Sequence, residues 1–312
     1  MVAALFVLAG CETPAPVTPV PRPPERPAQP VKPVAPKPDV AVDPGPESRE
    51  LAQYYLRVQN SLLAQGLLRR DGGGIDTPFG QRQLVENFVR VALFEEYASV
   101  GNTLVARATA SRLHRWEQPV TLQVEFGASV PAAVQTRDRA SIAGFGARLS
   151  RITGLPIRTV ASGGNYNVFV LNEAERRALG PRLRALVPGI SDLAVRTVTD
   201  MPRSSYCLVF ALDSDNSGTY TRAVAVIRAE HPDLLRLSCI HEELTQGLGL
   251  SNDSPAARPS IFNDDEEFAL LTTHDEMLLK MLYDRRIRPG MSQSEARRVA
   301  EIIAAELVGG ES

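Results

Sequence analysis

The residues best placed to do chemistry lie between Leu237 and Asp253, in the stretch LSCIHEELTQGLGLSND. Leu237, Ile240, Leu244 and Leu248 recur at helical spacing and predict one apolar face. At ~100° per residue, Glu242 and Gln246 fall on the opposite face, one above the other. Glu243 stands beside them, and Gly249 is placed to end the helix, since glycine readily takes a left-handed conformation. Asn252 and Asp253 follow that turn. Two donors one turn apart, with a third after a glycine, can hold a divalent metal, and a neighbouring glutamate can act as general base. Here every donor is an oxygen. Carboxamide carbonyls are poor zinc ligands, so zinc is not expected; the set Glu242, Gln246, Asn252 and Asp253 suits calcium or magnesium if it suits any ion.

A second register starts at His241, whose His-Glu pair invites a metal reading. Thr245 stands one turn further on, where a second imidazole would be needed. His241 also lies within ~60° of the apolar stripe, which predicts a hydrogen-bonded histidine at the edge of the core.

The elements that must carry this helix are bounded first by composition. The chain has 312 residues, 44% hydrophobic and 22% charged, with a formal net charge of −2. No basic field argues for nucleic acid as a partner. The N-terminus MVAALFVLAGC is a short apolar run ending Leu8-Ala9-Gly10-Cys11, which matches a bacterial lipobox. Residues 1–10 are therefore expected to be a lipoprotein signal peptide, with Cys11 acylated; the run is too short to span a ~30 Å hydrocarbon core. No positive residue precedes it, and Glu12 after the cysteine favours the outer membrane. The expected location is the periplasmic face of a bacterial envelope. Thirteen of the 24 prolines lie between Glu12 and Glu47. Proline supplies no N–H donor, so residues 11–47 are expected to form a semi-rigid spacer reaching on the order of 100 Å.

Two helices are predicted next, over Glu47–Arg70 and from Asp76-Thr77-Pro78 onward, forming a helical hairpin within 48–112. From residue 113 to 312 the pattern is mixed. Strands are predicted at 119–126, 156–161, 165–171, 207–212 and 220–228, and helices at 137–153, 172–186 and 292–308. The stretch DSDNSG imitates half a calcium loop, but Val224 stands where a bidentate Glu is required, so a hairpin turn is expected. This order gives an α/β (α+β) class with a mixed sheet and a central helix.

Several further motifs fall in one order: EELTQGLGL, then Ser260-Ile261-Phe262, then LTTHDEMLLKMLY from Leu271 to Tyr283, with Arg115-Trp116 ahead of the first strand. That order resembles the matrix-type metzincins over roughly residues 115–285. The resemblance implies a zincin-like fold with a cleft between an edge strand and the central helix. It does not carry zinc chemistry across, because Glu242, Gln246, Asn252 and Phe262 stand where that family has His, His, His and Met. The segments E-E-x-x-Q-x-L-G-L-x-N-D and L-Y-D-x-R-x-R-P-G-M also resemble a proteobacterial family of lipoproteins known as domain of unknown function 2927, which implies no activity. With Cys11 acylated, Cys207 and Cys239 remain, an even number in an oxidising compartment, on elements that zincin-like folds place side by side; a disulfide between them is expected.

Three functions are compatible with these readings. The first is a lipid-anchored envelope protein that binds an extended peptide or protein partner in a degenerate cleft without zinc catalysis and without a cofactor. The second is a metallopeptidase-like hydrolase with Glu243 as base and a non-standard metal site. The third is a purely structural lipoprotein whose polar residues only stabilise the turn.

Overall fold

The computed structural model describes residues 42–100, 103–263 and 265–309. Cys11 and nearly all of the proline-rich stretch lie outside them. No helix among the described residues is long and apolar enough to cross a membrane.

Five strands form the main sheet: β3 (Val120–Phe126), β4 (Ile157–Val160), β5 (Tyr166–Leu171), β6 (Cys207–Leu212) and β7 (Arg222–Arg228), in the order β4-β3-β5-β7-β6. The first four pair in parallel, and β6 joins the edge antiparallel to β7. The DSDNSG stretch is the turn of that hairpin, as expected: the Asp213 carboxylate accepts from the backbone N–H groups of Ser217 and Gly218. A separate two-stranded ribbon pairs β1 (Phe94–Val100) with β2 (Thr103–Ala110).

The central strand β5 is buried along its whole length, because both faces of the sheet are covered. Alternation sends Val168 and Val170 into the larger core and Phe169 and Leu171 into a smaller one. The larger core packs α2 (Gln81–Ala92), α3 (Ala132–Thr153), α7 (Asp233–Gln246), α8 (Thr273–Leu282) and α9 (Gln293–Gly309). The smaller one packs α5 (Gly180–Leu186) and α6 (Asp192–Thr199), which follow the short α4 (Glu173–Arg177). The mixed α/β class with helical terminal parts is the class expected from the sequence.

Several boundaries differ for local reasons. Helix α1 runs from Gly45 to Ala64 instead of Glu47 to Arg70. Gly66 and Leu68 take positive φ, and Leu68 and Arg69 then donate to Glu266 and Glu267 as an extended bridge. Helix α2 starts at Gln81, where the Gln83 side chain accepts from the Gly80 N–H; Thr77 closes a turn with Gly74 instead of capping a helix. The single helix expected over 172–186 is two, because Pro181 cannot donate back to Arg177.

Candidate functional site

Helix α7 opens behind Pro232 and is buried on nearly every side; Glu242 is the half-exposed residue of its last two turns. Ile240, Leu244 and Leu248 pack into the core as their spacing predicts. His241 is 7% exposed, its ring stacked 3.9 Å from that of Phe145 and its Nδ1 accepting from the Leu271 N–H at 3.1 Å. Burial, helped by the Arg148 charge, pushes its pKa down to about 3, so the ring is neutral. It is the core-edge histidine that its position on the helix predicts.

The C-terminal end of α7 is held by three aromatic side chains. Tyr166 donates to the Glu243 carbonyl, Trp116 Nε1 to the Gly247 carbonyl at 2.8 Å, and Tyr283 to the Leu248 carbonyl at 2.9 Å. The Glu243 carbonyl also accepts from the Gly247 N–H, whereas those of Gly247 and Leu248 lie past the last helical residue, where side-chain donors take the place of intrahelical partners. Arg115, beside Trp116, donates to the carbonyls of Leu282 and Asp284, tying the end of α8 to the same corner. Gly249 has φ +121°, and a Cβ there would sit 2.3 Å from the His114 carbonyl oxygen, so the loop after α7 closes tightly on the segment before β3.

Against this corner lies a cavity of about 620 Å³ between the edge strand β6 and the end of α7. Val209 and Ala211 line it from β6, Gln246 from α7, Ser251 from the following loop, and His114 and Tyr220 from the far side. His114 Nε2 is 3.5 Å from Asp213 Oδ2, and its ring stacks on Tyr220 at 5.4 Å. Glu95 and Arg112 add one charge of each sign at the cavity, Glu95 accepting from Ser111 at 2.9 Å. Sequence reasoning singled out none of Glu95, Arg112, His114, Tyr220 and Ser251. His114 was the findable one, since it directly precedes the Arg115-Trp116 pair.

The residues named from the sequence are distributed around this cavity, and of them Gln246 lines it. Gln246 Nε2 donates to Asp253 Oδ1 at 3.0 Å. Asn252 turns the other way: its N–H donates to the Val91 carbonyl and its Nδ2 to the Arg90 carbonyl, capping the end of α2. Glu243 is 2% exposed and is not among the residues that line the cavity. Glu242 Oε2 lies 3.9 Å from Cys207 Sγ. Cys207 and Cys239 are joined in a disulfide, with Cα atoms 5.9 Å apart, tying the first residue of β6 to α7. With Glu242 these sulfurs make the one group of three potential metal donors gathered among the described residues, but thiols in a disulfide are not thiolate ligands. The cavity itself offers one imidazole, His114, with oxygens of Glu95, Asp213, Gln246 and Ser251. Its His, Asp and Glu donors are not gathered into a group of three among the described residues, a poor fit to zinc, which favours several His or Cys ligands.

The third position of interest, Phe262, is fully buried. Its loop is fixed by Asp275, whose carboxylate accepts from Ser260 Oγ, the Ile261 N–H and the Thr272 N–H. That explains the Ser-Ile-Phe and Leu-Thr-Thr-His-Asp motifs as one structural unit beside α7.

Residues 81–301 match a family described as "Protein of unknown function (DUF2927)". No curated protein and no solved structure matches the chain.

Proposed function

We propose that this chain, which belongs to the DUF2927 family, binds an extended peptide or a segment of an envelope protein along the outer edge of β6, without zinc catalysis. The observation that carries the reading is the position of the cavity: four consecutive residues of an edge strand, Val209 to Leu212, line it. Among the described residues no strand pairs with the outer side of β6. An unpaired strand edge offers main-chain donors and acceptors to an added strand, and the cavity beside it accommodates alternate side chains. An antiparallel edge strand beside the end of a central helix also supports the zincin-like likeness, which is part of this proposal. A hydrolase reading gains less support, because a general base must reach the reacting group and Glu243 is buried and does not line the cavity.

The lipid anchor at Cys11, the spacer behind it and the envelope location belong to the same proposal and rest on the sequence. A tether of on the order of 100 Å would let the domain meet partners away from the membrane surface.

Selection of phage-displayed random peptides on the immobilised chain tests the reading. Ala211→Trp fills the cavity beside the strand edge and should abolish enrichment, while Glu243→Gln should leave it intact. Equal enrichment on wild type and Ala211→Trp would reject the β6 cleft.

A further inference from the structure

A second cavity, of about 320 Å³, lies on the opposite face of the sheet, lined by Gln123, Gly163, Gly164, Arg182, Leu186 and Arg222. Strand alternation places a buried amide beside its Arg222. The Tyr166 hydroxyl reaches α7, so Asn167 points to the other face. Register sets Asn167 beside Gln123 of β3 and Val224 of β7, and Arg222 shares the face of Val224, two residues on. Asn167 therefore lies between two residues that line the cavity.

Asn167 is fully buried, and its Nδ2 has no hydrogen-bond partner among the described residues. Its Oδ1 accepts from Arg222 Nη1 at 3.4 Å, and the Gly164 carbonyl accepts from the same nitrogen at 3.4 Å. Both bonds are at the long limit, so the guanidinium is weakly held. No ion pair to Arg222 is made among the described residues. The charges around it are already matched: Arg182 pairs with Glu125 at 2.6 Å, and Glu125 also accepts from Gln123 Nε2 at 2.8 Å. Gln123 Oε1 in turn accepts from the Gly164 N–H at 3.0 Å. What remains at the cavity is one uncompensated positive charge on a planar fork of donors.

We propose that this cavity binds a carboxylate monoanion, held by the Arg222 fork. A guanidinium matches the planar carboxylate in a bidentate pair, and one carboxylate neutralises the single uncompensated charge. At ~30 Å³ per water-sized group the cavity has room for about ten such groups, enough for a small organic acid or the C-terminal residue of a peptide. The site lies across the sheet from the β6 cleft and does not depend on it.

Calorimetric titration of the full chain with sodium acetate, against sodium chloride at equal ionic strength, tests the proposal. Acetate should bind saturably, and Arg222→Gln should weaken it roughly ten- to a hundredfold, the worth of a charged hydrogen bond. Asn167→Asp places a carboxylate beside Arg222 and should remove acetate binding without lowering Tm. A short peptide with a free C-terminus, binding more tightly than acetate while its amide does not bind, assigns the ligand to a peptide end; equal affinities assign it to a free acid. Should Arg222→Gln fail to fold, Arg222→Lys keeps the charge, loses the fork and should show the same direction of loss. Acetate heats no different from chloride, or unchanged binding in the Arg222 variants, would overturn it.

Discussion

Neutral His241 makes this fold acid-sensitive by an amount that can be worked from its surroundings. Its ring is stacked on Phe145, it accepts from Leu271, and burial holds its pKa at about 3, against an ordinary value of 6.5. Below pH 6.5 the unfolded chain therefore takes up a proton that the folded chain refuses. Its stability contribution is complete above 6.5 and is lost as the pH falls toward 3. At pH 5 the difference in proton binding amounts to about 2 kcal/mol, a large share of a typical domain's stability. His241→Gln offers a carbonyl to the Leu271 N–H and does not titrate. Urea denaturation of both proteins at pH 7.5 and 5.0 gives the comparison. Wild type should lose about 2 kcal/mol more than the variant between the two pH values, at similar m-values. His231, whose pKa burial also pushes down, is present in both and cancels. An equal loss in the two proteins would refute a buried neutral ring at position 241.

Replacing Cys207 and Cys239 together by alanine opens a link across 32 residues and should cost roughly 3–4 kcal/mol, measured by denaturation, with non-reduced mass spectrometry of the wild type showing no free thiol at either position. Glu173→Gln removes the carboxylate that both Arg176 and Arg228 contact, each only 1% exposed, and should destabilise by roughly 3–5 kcal/mol, since it leaves buried charges unmatched. Fatty-acid labelling in a bacterial host should disappear on Cys11→Ser; labelling that persists would place the anchor elsewhere.

The strands of the main sheet, the central helix and the disulfide were legible in the sequence, whereas the ribbon β1–β2 falls inside the stretch read as a helical hairpin, 48–112, and was missed. Alternation and apolar runs marked β3, β5 and β7, and cysteine arithmetic marked Cys207 and Cys239. Helix α6 carried no comparable signal, and the end of α1 was set by Leu68 and Arg69 pairing with Glu266 and Glu267, a contact across the chain that periodicity cannot show. The site was legible only in part for the same reason. Spacing along α7 brought Gln246 to notice, but the cavity wall comes from segments far apart in the chain, with His114 before β3 and Tyr220 after the β6–β7 turn. Asn252 illustrates the limit of a motif: its place after the glycine turn suggested a ligand, yet its amide is spent on the end of α2.

Amide hydrogen exchange of the full chain, with and without a peptide selected on it, bears most directly on binding at the β6 edge. Slowed exchange across Cys207–Leu212, lost in Ala211→Trp, is the expected result. Protection that spares β6, or that survives Ala211→Trp, would contradict a peptide strand added at that edge.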